Sequence, residues 1–446
     1  MKRAFYVIIL YVLSSSFCYS QDYFIVNSKK GVDKVKFKLV NNLIIIPVEI
    51  NGVSLSFLLD TGVSKPIVFN FLNISDSLKI KNAQKIMLRG LGEGDAIEAL
   101  RSKNNIFRIG EAININQDLY AILDSSLNFS HKLGLPIHGI IGYDLFKDLV
   151  VEINYTKRFL KLTNQEDYRR KSCKGCEELN LEFYKNKPYV NGVVDIDSRN
   201  IPVKMLIDSG GSDALWLFEN EAIGINSNAK FFQDFLGHGL SGSVYGKRSK
   251  IKAFHLNKFT IKNPNVAFPD TTSIGHALDH KERHGSVSGN ILKRFNIVFN
   301  YRKGKVRLKK NRFFKESFRY NKSGIELAHN GVRLVKDDTG FVSPKTKNKS
   351  SMVEDNTQIV YSPNYKLRLK PAYVILELRI DSPAYRAGLK IGDTVLSVNN
   401  KPAHQFALLQ DLMELFYGNH NKSIKLKVER GGEVLTYSFK LVDMLK

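Results

Sequence analysis

Two aspartates stand in nearly the same local sequence. Asp60 ends the apolar run of "FLLDTG" (Phe57 to Gly62), and Asp208 ends that of "MLIDSG" (Met205 to Gly210). Each is followed by a small hydroxyl residue, Thr61 or Ser209, and then by a glycine. A lone Asp at a strand end is most often a turn or cap residue. Two such aspartates brought face to face have a different chemistry, because carboxylates about 3 Å apart cannot both ionise and hold one proton between them. The ionised partner accepts a proton from a water, and the protonated partner hydrogen-bonds a carbonyl under attack. That is acid–base hydrolysis of an amide without a metal or a covalent intermediate. Gly62 and Gly210 let backbone approach the carboxylates with no Cβ in the way. The hydroxyls of Thr61 and Ser209 are expected to cross-link the two turns beneath the site.

The elements around the aspartates repeat as well. "RGLGEGD" (Arg89 to Asp95) follows the first turn, and "GHGLSGS" (Gly237 to Ser243) follows the second at a matched distance. "GIIGYDLF" places Gly142 after Asp60 much as "SVSGNILKRF" places Gly289 after Asp208. Each half closes on an alternating strand pair, 150–162 and 296–310. "LIIIPVEINGVSLSFLLD" reads as strand, Asn51-Gly52 turn, strand. Long amphipathic helices are scarce before residue 400. Two similar, mostly antiparallel β lobes are therefore expected, spanning 22–165 and 166–310, with the aspartates meeting about a pseudo-two-fold axis.

On these residues the sequence resembles the aspartic proteases of the pepsin and retropepsin type. "LLDTG" and "LIDSG" match the paired motif of that family, and "GIIG" (Gly139 to Gly142) resembles the apolar-apolar-Gly that supports its active-site loop. The second copy, "VSG" (Val287 to Gly289), departs from it at Ser288. The resemblance implies a bilobal, mainly β fold and catalytic roles for Asp60 and Asp208. Thr61 and Ser209 become an inter-lobe hydroxyl pair, supported by Gly62 and Gly210. It also implies flaps over the cleft at 88–95 and 236–244, with Gly90, Gly92, Gly94, Gly237 and Gly239 suited to hairpin tips. Asp95, Asp144 and Asp213 lack a paired context and read as surface or turn residues. Trp216 reads as core, with lining of a substrate pocket as the lesser alternative. The ten histidines form no ligand spacing, so no metal and no cofactor are expected.

The chain continues irregular and basic through 311–356, read as a linker or the start of the next domain. "SPAYRAGLKIGDTVLSVNN" (Ser382 to Asn400) closely resembles a PDZ domain, expected over 357–446. Gly388 fits a helix C-terminus that needs positive φ. Such a domain adds an extended peptide as a strand beside its edge, and that edge is expected at Tyr365 to Leu369. The usual Gly-Leu-Gly-Phe carboxylate loop is missing, and "SPNYKLRL" stands near where it would be. Residues 324–342 either join this domain or bridge it to the lobes.

The whole chain sets the context. It has 446 residues, 43% hydrophobic and 25% charged, with a formal net charge of +24. The lysines and arginines are scattered and no nucleic-acid-binding motif accompanies them, so nucleic acid is not an expected partner. Lys2 and Arg3, a short apolar stretch and "SSSFCYSQ" form the layout of a signal peptide, 1–20. The apolar stretch is too short to span a bilayer, and no other segment is long enough, so no transmembrane segment is expected after cleavage. Cys18 follows the bulky Phe17, which fits a lipid-anchored cysteine poorly. Cys173 and Cys176 in "CKGC" then read as a local disulfide of an exported protein, in the periplasm, on the cell surface or outside the cell. The leading reading is an exported aspartic endopeptidase, monomeric for catalysis, acting on protein or peptide substrates, with a peptide-binding PDZ module. The alternatives are a non-catalytic peptide-binding adaptor on the same scaffold and a basic protein held on an anionic envelope surface.

Overall fold

Runs rich in Ile, Val, Leu and Phe favour extended chain, and in this protein they are interrupted by residues that reverse it. Leu43–Ile50 and Val53–Leu59 pair antiparallel. Asn51 and Gly52 join them, both at positive φ (51° and 88°), the geometry of a tight hairpin turn. The second half repeats the hairpin with Lys187–Ile196 and Arg199–Asp208, turned at Asp197 and Ser198. The computed structural model describes residues 22–69, 78–80, 83–124, 127, 129–227, 230–338 and 365–446. The expected leader, 1–20, lies outside them. The chain divides into two units, Met1–Tyr320 with Asp443–Lys446, and Asn321–Val442.

Both β lobes belong to the first unit. One lobe is built on a 9-stranded sheet and the other on a 10-stranded sheet. A 6-stranded sheet takes strands from both halves. At its centre Leu149–Asn154 runs antiparallel to Phe295–Asn300, pairing Val151 with Phe299 and Ile153 with Ile297. Val32–Lys36 and Cys176–Asn180 complete its two margins. The lobes thus share a sheet, and they share a core. Phe57, Phe107, Leu145 and Phe146 of the first half lie in one buried cluster with Phe254, Phe295 and Phe299 of the second.

The strand carrying each aspartate is held from both sides. Val53–Leu59 has an antiparallel neighbour in Leu43–Ile50 and a parallel one in Gly139–Ile141, where Phe57 faces Gly139 and Leu59 faces Ile141. Arg199–Asp208 is flanked likewise by Lys187–Ile196 and, in parallel, by Gly285–Ser288. A strand buried between two partners cannot slide without turning its apolar set outward, so its end is a fixed point.

The second unit is mainly β with a short helix, Leu409–Met413, against it. Ile325–Asp338 pairs with Tyr365–Leu378 over most of its length. This unit therefore begins at Asn321, so that of the two readings of 311–356 the start of the next domain holds from Asn321, and residues from Asn321 to Asp338 are part of it. The same pairing corrects the position of the edge. Tyr365 to Leu369 is covered by Leu334–Asp338, and the outer strand is Ile325–Asp338, which also neighbours the helix. Ser382 caps the helix Pro383–Arg386, and Gly388 beyond it takes φ 95°. The buried Asp393 holds the Arg430 guanidinium at 2.6 and 2.7 Å.

Candidate active site

The two aspartate turns are tied to each other by their own neighbours. The Thr61 hydroxyl donates to the Ile207 carbonyl (2.6 Å) and accepts from the Ser209 N–H (3.0 Å). The Ser209 hydroxyl donates to the Leu59 carbonyl (2.7 Å) and accepts from the Thr61 N–H (3.0 Å). Both side chains are buried. Each hydroxyl satisfies one donor and one acceptor at the opposite strand end, groups that burial would otherwise leave unpaired.

Above this cross-link the carboxyl groups meet. A Cβ added at Gly62 would stand 3.1 Å from Oδ1 of Asp60 and 3.7 Å from Oδ1 of Asp208, and one added at Gly210 would collide with the Asp60 carboxyl. Gly210 has no room for a side chain beside the Asp60 carboxyl, and one at Gly62 would crowd it. Gly62 donates its N–H to Asp60 (2.7 Å), while Gly210 and Gly211 donate theirs to Asp208 (3.0 and 3.1 Å). Dense surroundings, and then the negative charge of Asp208, push Asp60 up to about 7 against the pull of those N–H groups. Burial also raises Asp208, opposed chiefly by the nearby Arg283 guanidinium. Repulsion plus burial is the arrangement in which one proton is retained by a pair.

The loops behind the aspartates are matched in ways the sequence reading misaligned. His138 Nδ1 accepts the Ser56 N–H (3.0 Å) and His284 Nδ1 accepts the Lys204 N–H (2.9 Å), each pinning the parallel strand that follows. The parallel registers set Ile141 beside Leu59 and Val287 beside Ile207. Gly142 therefore corresponds to Ser288, and the expected equivalence with Gly289 is off by one residue. At Gly142 a Cβ would run into the Asp60 carbonyl, whereas Ser288 is buried in extended backbone beside Gly211. The dipeptide His-Gly in "IHGIIG" and "RHGSVSG" was the signal for the correct alignment. Asp144 is not a surface residue, while Asp213 is a partly exposed bend residue after the second aspartate turn. Asp144 is buried, held by Lys65 (3.1 Å) and Gln117 (2.7 Å). Asp213 is bound by Arg248 and the Trp216 indole N–H, both at 2.8 Å. Asp95 is exposed.

The expected flap segments are found at hairpins. The segment 88–95 connects Gln84–Leu88 to Ile97–Ile109, and 236–244 is the turn of Phe232–Gly239 and Gly242–Lys250. Their tips bond to each other. Gly90 N–H donates to the Ser241 hydroxyl (3.1 Å), Gly94 N–H to the Ser241 carbonyl (2.6 Å), and Ser241 N–H to the Leu91 carbonyl (2.9 Å). Gly237, at φ 148°, sits at a bulge in its strand, and Gly239 lies against Leu91. Leu91 packs against the cluster of Phe218, Ile274 and Ala277 of the second half, and Leu240 against the cluster of Ile67, Phe69, Ala99 and Ile122 of the first. Each tip thus lodges in the other lobe. Trp216 is half-buried and packs against the same cluster of Phe218, Ile274 and Ala277 as Leu91. Cys173 and Cys176 are joined by a disulfide.

Two cations near the aspartates had no sequence signal. Lys187 begins the strand beside Asp208, and Arg283 lies buried just ahead of Gly285–Ser288. Both influence the aspartates electrostatically. Among the described residues no group of three or more His, Cys, Asp or Glu side chains is arranged to hold a metal ion, and no helix is long and apolar enough to cross a membrane.

Comparison with known families falls on the same two regions. Residues 46–145 match the family described as "Aspartyl protease", and 374–430 match the PDZ domain family. The chain thus carries an aspartyl-protease-like domain and a PDZ domain. The first match contains Asp60 and stops at Leu145; Asp208 joins the comparison through the structural repeat. No curated protein matches the chain.

Two outcomes follow from this geometry. Ser209→Ala orphans the Thr61 N–H and the Leu59 carbonyl, at about 1–3 kcal/mol for each group. Its urea midpoint should fall accordingly, and an unchanged midpoint would contradict the cross-link. Asp60 keeps its proton to about 7 when folded and loses it near the ordinary 3.8 when unfolded. Between those values the unfolded chain binds fewer protons, so this group lowers stability as pH rises through the window. Asp60→Asn removes that slope. Its melting temperature should gain on the wild type from about pH 4 to about pH 7, by the equivalent of a few kcal/mol at most. Parallel curves would contradict a raised carboxyl.

Proposed function

We propose that this chain is an exported aspartic endopeptidase whose PDZ unit recruits peptide. The reading is carried by one observation: Asp60 and Asp208 end equivalent strands and meet over the reciprocal Thr61–Ser209 bonds. A water between the carboxyls gives a proton to the ionised one as its oxygen attacks the peptide carbonyl. The protonated one hydrogen-bonds the carbonyl oxygen. The resulting diol collapses with C–N cleavage as the leaving nitrogen takes a proton from the pair. Export rests on the leader pattern at 1–20, and the Cys173–Cys176 bond agrees with an oxidising compartment.

Asp60→Asn and Asp208→Asn should each lower kcat/KM on an unfolded protein by roughly 10²-fold or more, and retained activity in either would refute the assignment. Because the Asp60 carboxyl stands near 7, activity should decline as pH rises past about 7, where the retained proton leaves. A non-catalytic peptide-binding scaffold is favoured by two observations, Ser288 in the place of a glycine and the bonding of the hairpin tips to each other. Peptide binding without turnover, unaffected by either Asp→Asn change, would establish that reading instead.

In the PDZ unit the receiving edge is the outer strand from Ile325, beside the helix Leu409–Met413. The three N–H groups leading into it are taken internally. Ser323 and Gly324 donate to Asn321 Oδ1 (3.0 and 3.3 Å), and Ile325 donates to the Ser323 hydroxyl (3.0 Å). A cradle of that kind otherwise captures a terminal carboxylate. The unit is accordingly read as a receptor for internal segments. Free-acid and amidated forms of one binding peptide should have affinities within a few-fold of each other, measured by fluorescence anisotropy. A marked preference for the free acid would rule this out.

A further inference from the structure

Two cations near the aspartates, Lys187 and Arg283, form no ion pair with a described residue. Lys187 pairs in the hairpin with Tyr184, and the turn between them is docked on the first aspartate loop, where the Ser64 hydroxyl donates to the Lys185 carbonyl (3.0 Å). The last antiparallel pair between its strand and that of Asp208 is Tyr189 with Leu206, so Lys187 and Asp208 each stand two residues beyond it at the same end of the two strands. The half-buried ammonium makes no hydrogen bond or ion pair with any described residue. Burial, and then the Arg283 charge, lower its pKa from the ordinary lysine value, while Asp60 and Asp208 favour its charge and Lys185 opposes it. Lys185 itself reaches Asp279 at 3.9 Å.

Arg283 stands behind with neutral partners only. Its guanidinium donates to the Gly285 carbonyl (3.2 Å) and the Ser286 hydroxyl (2.9 Å) and lies 5.0 Å from the Phe218 ring centroid. It also bonds Tyr189, and the carboxylate that acts on it is Asp208. Two aspartates sharing a proton carry a single negative charge against these two cations. A buried surplus of positive charge is costly until an anion meets it.

We propose that Lys187, backed by Arg283, is a specificity-determining residue that receives a carboxylate of the substrate next to the bond held at Asp60 and Asp208. The proposal rests on the reading of this site as a peptidase. The carboxylate has two sources in a peptide, an acidic side chain or the free C-terminus. A close cation–carboxylate pair at a shielded site changes affinity far more than one at the surface, and the preference belongs in KM where the pair forms equally in the ground and transition states.

The test uses the full chain and fluorogenic peptides with a central Leu-Leu pair. In one series, blocked at both ends, Glu, Gln or Lys is placed at each flanking position in turn. In the other, a neutral peptide carries either a free or an amidated C-terminus. Wild-type protein should prefer the carboxylate over its amide by roughly tenfold or more in kcat/KM. The series in which this appears identifies the source. For a Glu peptide the preference should fade below about pH 4, where that carboxyl takes its proton. It should vanish in Lys187→Gln and return largely in Lys187→Arg.

Affinity is measured in parallel on Asp60→Asn and on Asp60→Asn/Lys187→Gln. If the wild type cleaves none of the peptides while Asp60→Asn binds them with the same Lys187-dependent preference, the peptidase reading fails and the carboxylate site stands. An unchanged acid-to-amide ratio in Lys187→Gln, even with a displaced pH profile, overturns the proposal and makes Lys187 a modulator of the aspartates alone. Absence of preference in both cleavage and binding overturns it as well.

Discussion

Everything distinctive in the first unit depends on the exchange of hydrogen bonds between Thr61 and Ser209. Each hydroxyl closes a donor and an acceptor at the end of the opposite strand, inside a buried and nearly symmetric junction. Burial makes the exchange obligatory, because removing one hydroxyl strands polar groups on both sides. It brings together two strand ends from distant parts of the sequence. The shared sheet, with Val151 on Phe299 and Ile153 on Ile297, gives the same two halves a second seam. Together the seams leave the aspartates little choice of position.

Position then determines charge. Two crowded carboxyls repel, and both are pushed upward. The surrounding N–H groups and the two cations work in the other direction. The balance differs from that of an isolated acid pair, since the positive charges of Lys187 and Arg283 act on the carboxyls. Arg283 has the deeper position, and its contacts with Gly285, Ser286 and Phe218 make it part of the wall. Lys187 has the more open position, half-buried at the beginning of a strand.

The pseudo-symmetry is kept at the strand ends and relaxed in the loops behind them. His138 and His284 perform one task in two places, as do Thr61 and Ser209. Gly142 and Ser288 do not, because the second loop leaves space for a side chain where the first does not. The hairpin tips keep the symmetry in a different manner, each leucine lodging in the opposite lobe. In the PDZ unit Asn321 takes the Ser323 and Gly324 N–H groups ahead of the edge strand, an arrangement visible only once that strand is placed.

The sequence by itself determined the duplicated lobes, the aspartate pair with its hydroxyl and glycine neighbours, the hairpin segments and the existence of the PDZ unit. Those features are local: an apolar run, a turn residue and a small residue in a fixed order, written twice. What it left open was every relation set by pairing across long separations. The correspondence of Gly142 with Ser288 is a matter of parallel register, which linear spacing obscured by one residue, although His-Gly marked it in both copies. The edge strand was misplaced because Ile325–Asp338 finds its partner across the long segment that separates it from Tyr365–Leu378. The burial of Asp144 depends on Lys65 and Gln117, which nothing in its own surroundings announces. Lys187 and Arg283 were invisible for the same reason. A lysine opening a strand and an arginine ahead of another are ordinary in sequence, and only the packing of those strands around Asp208 turns them into charges acting on the site.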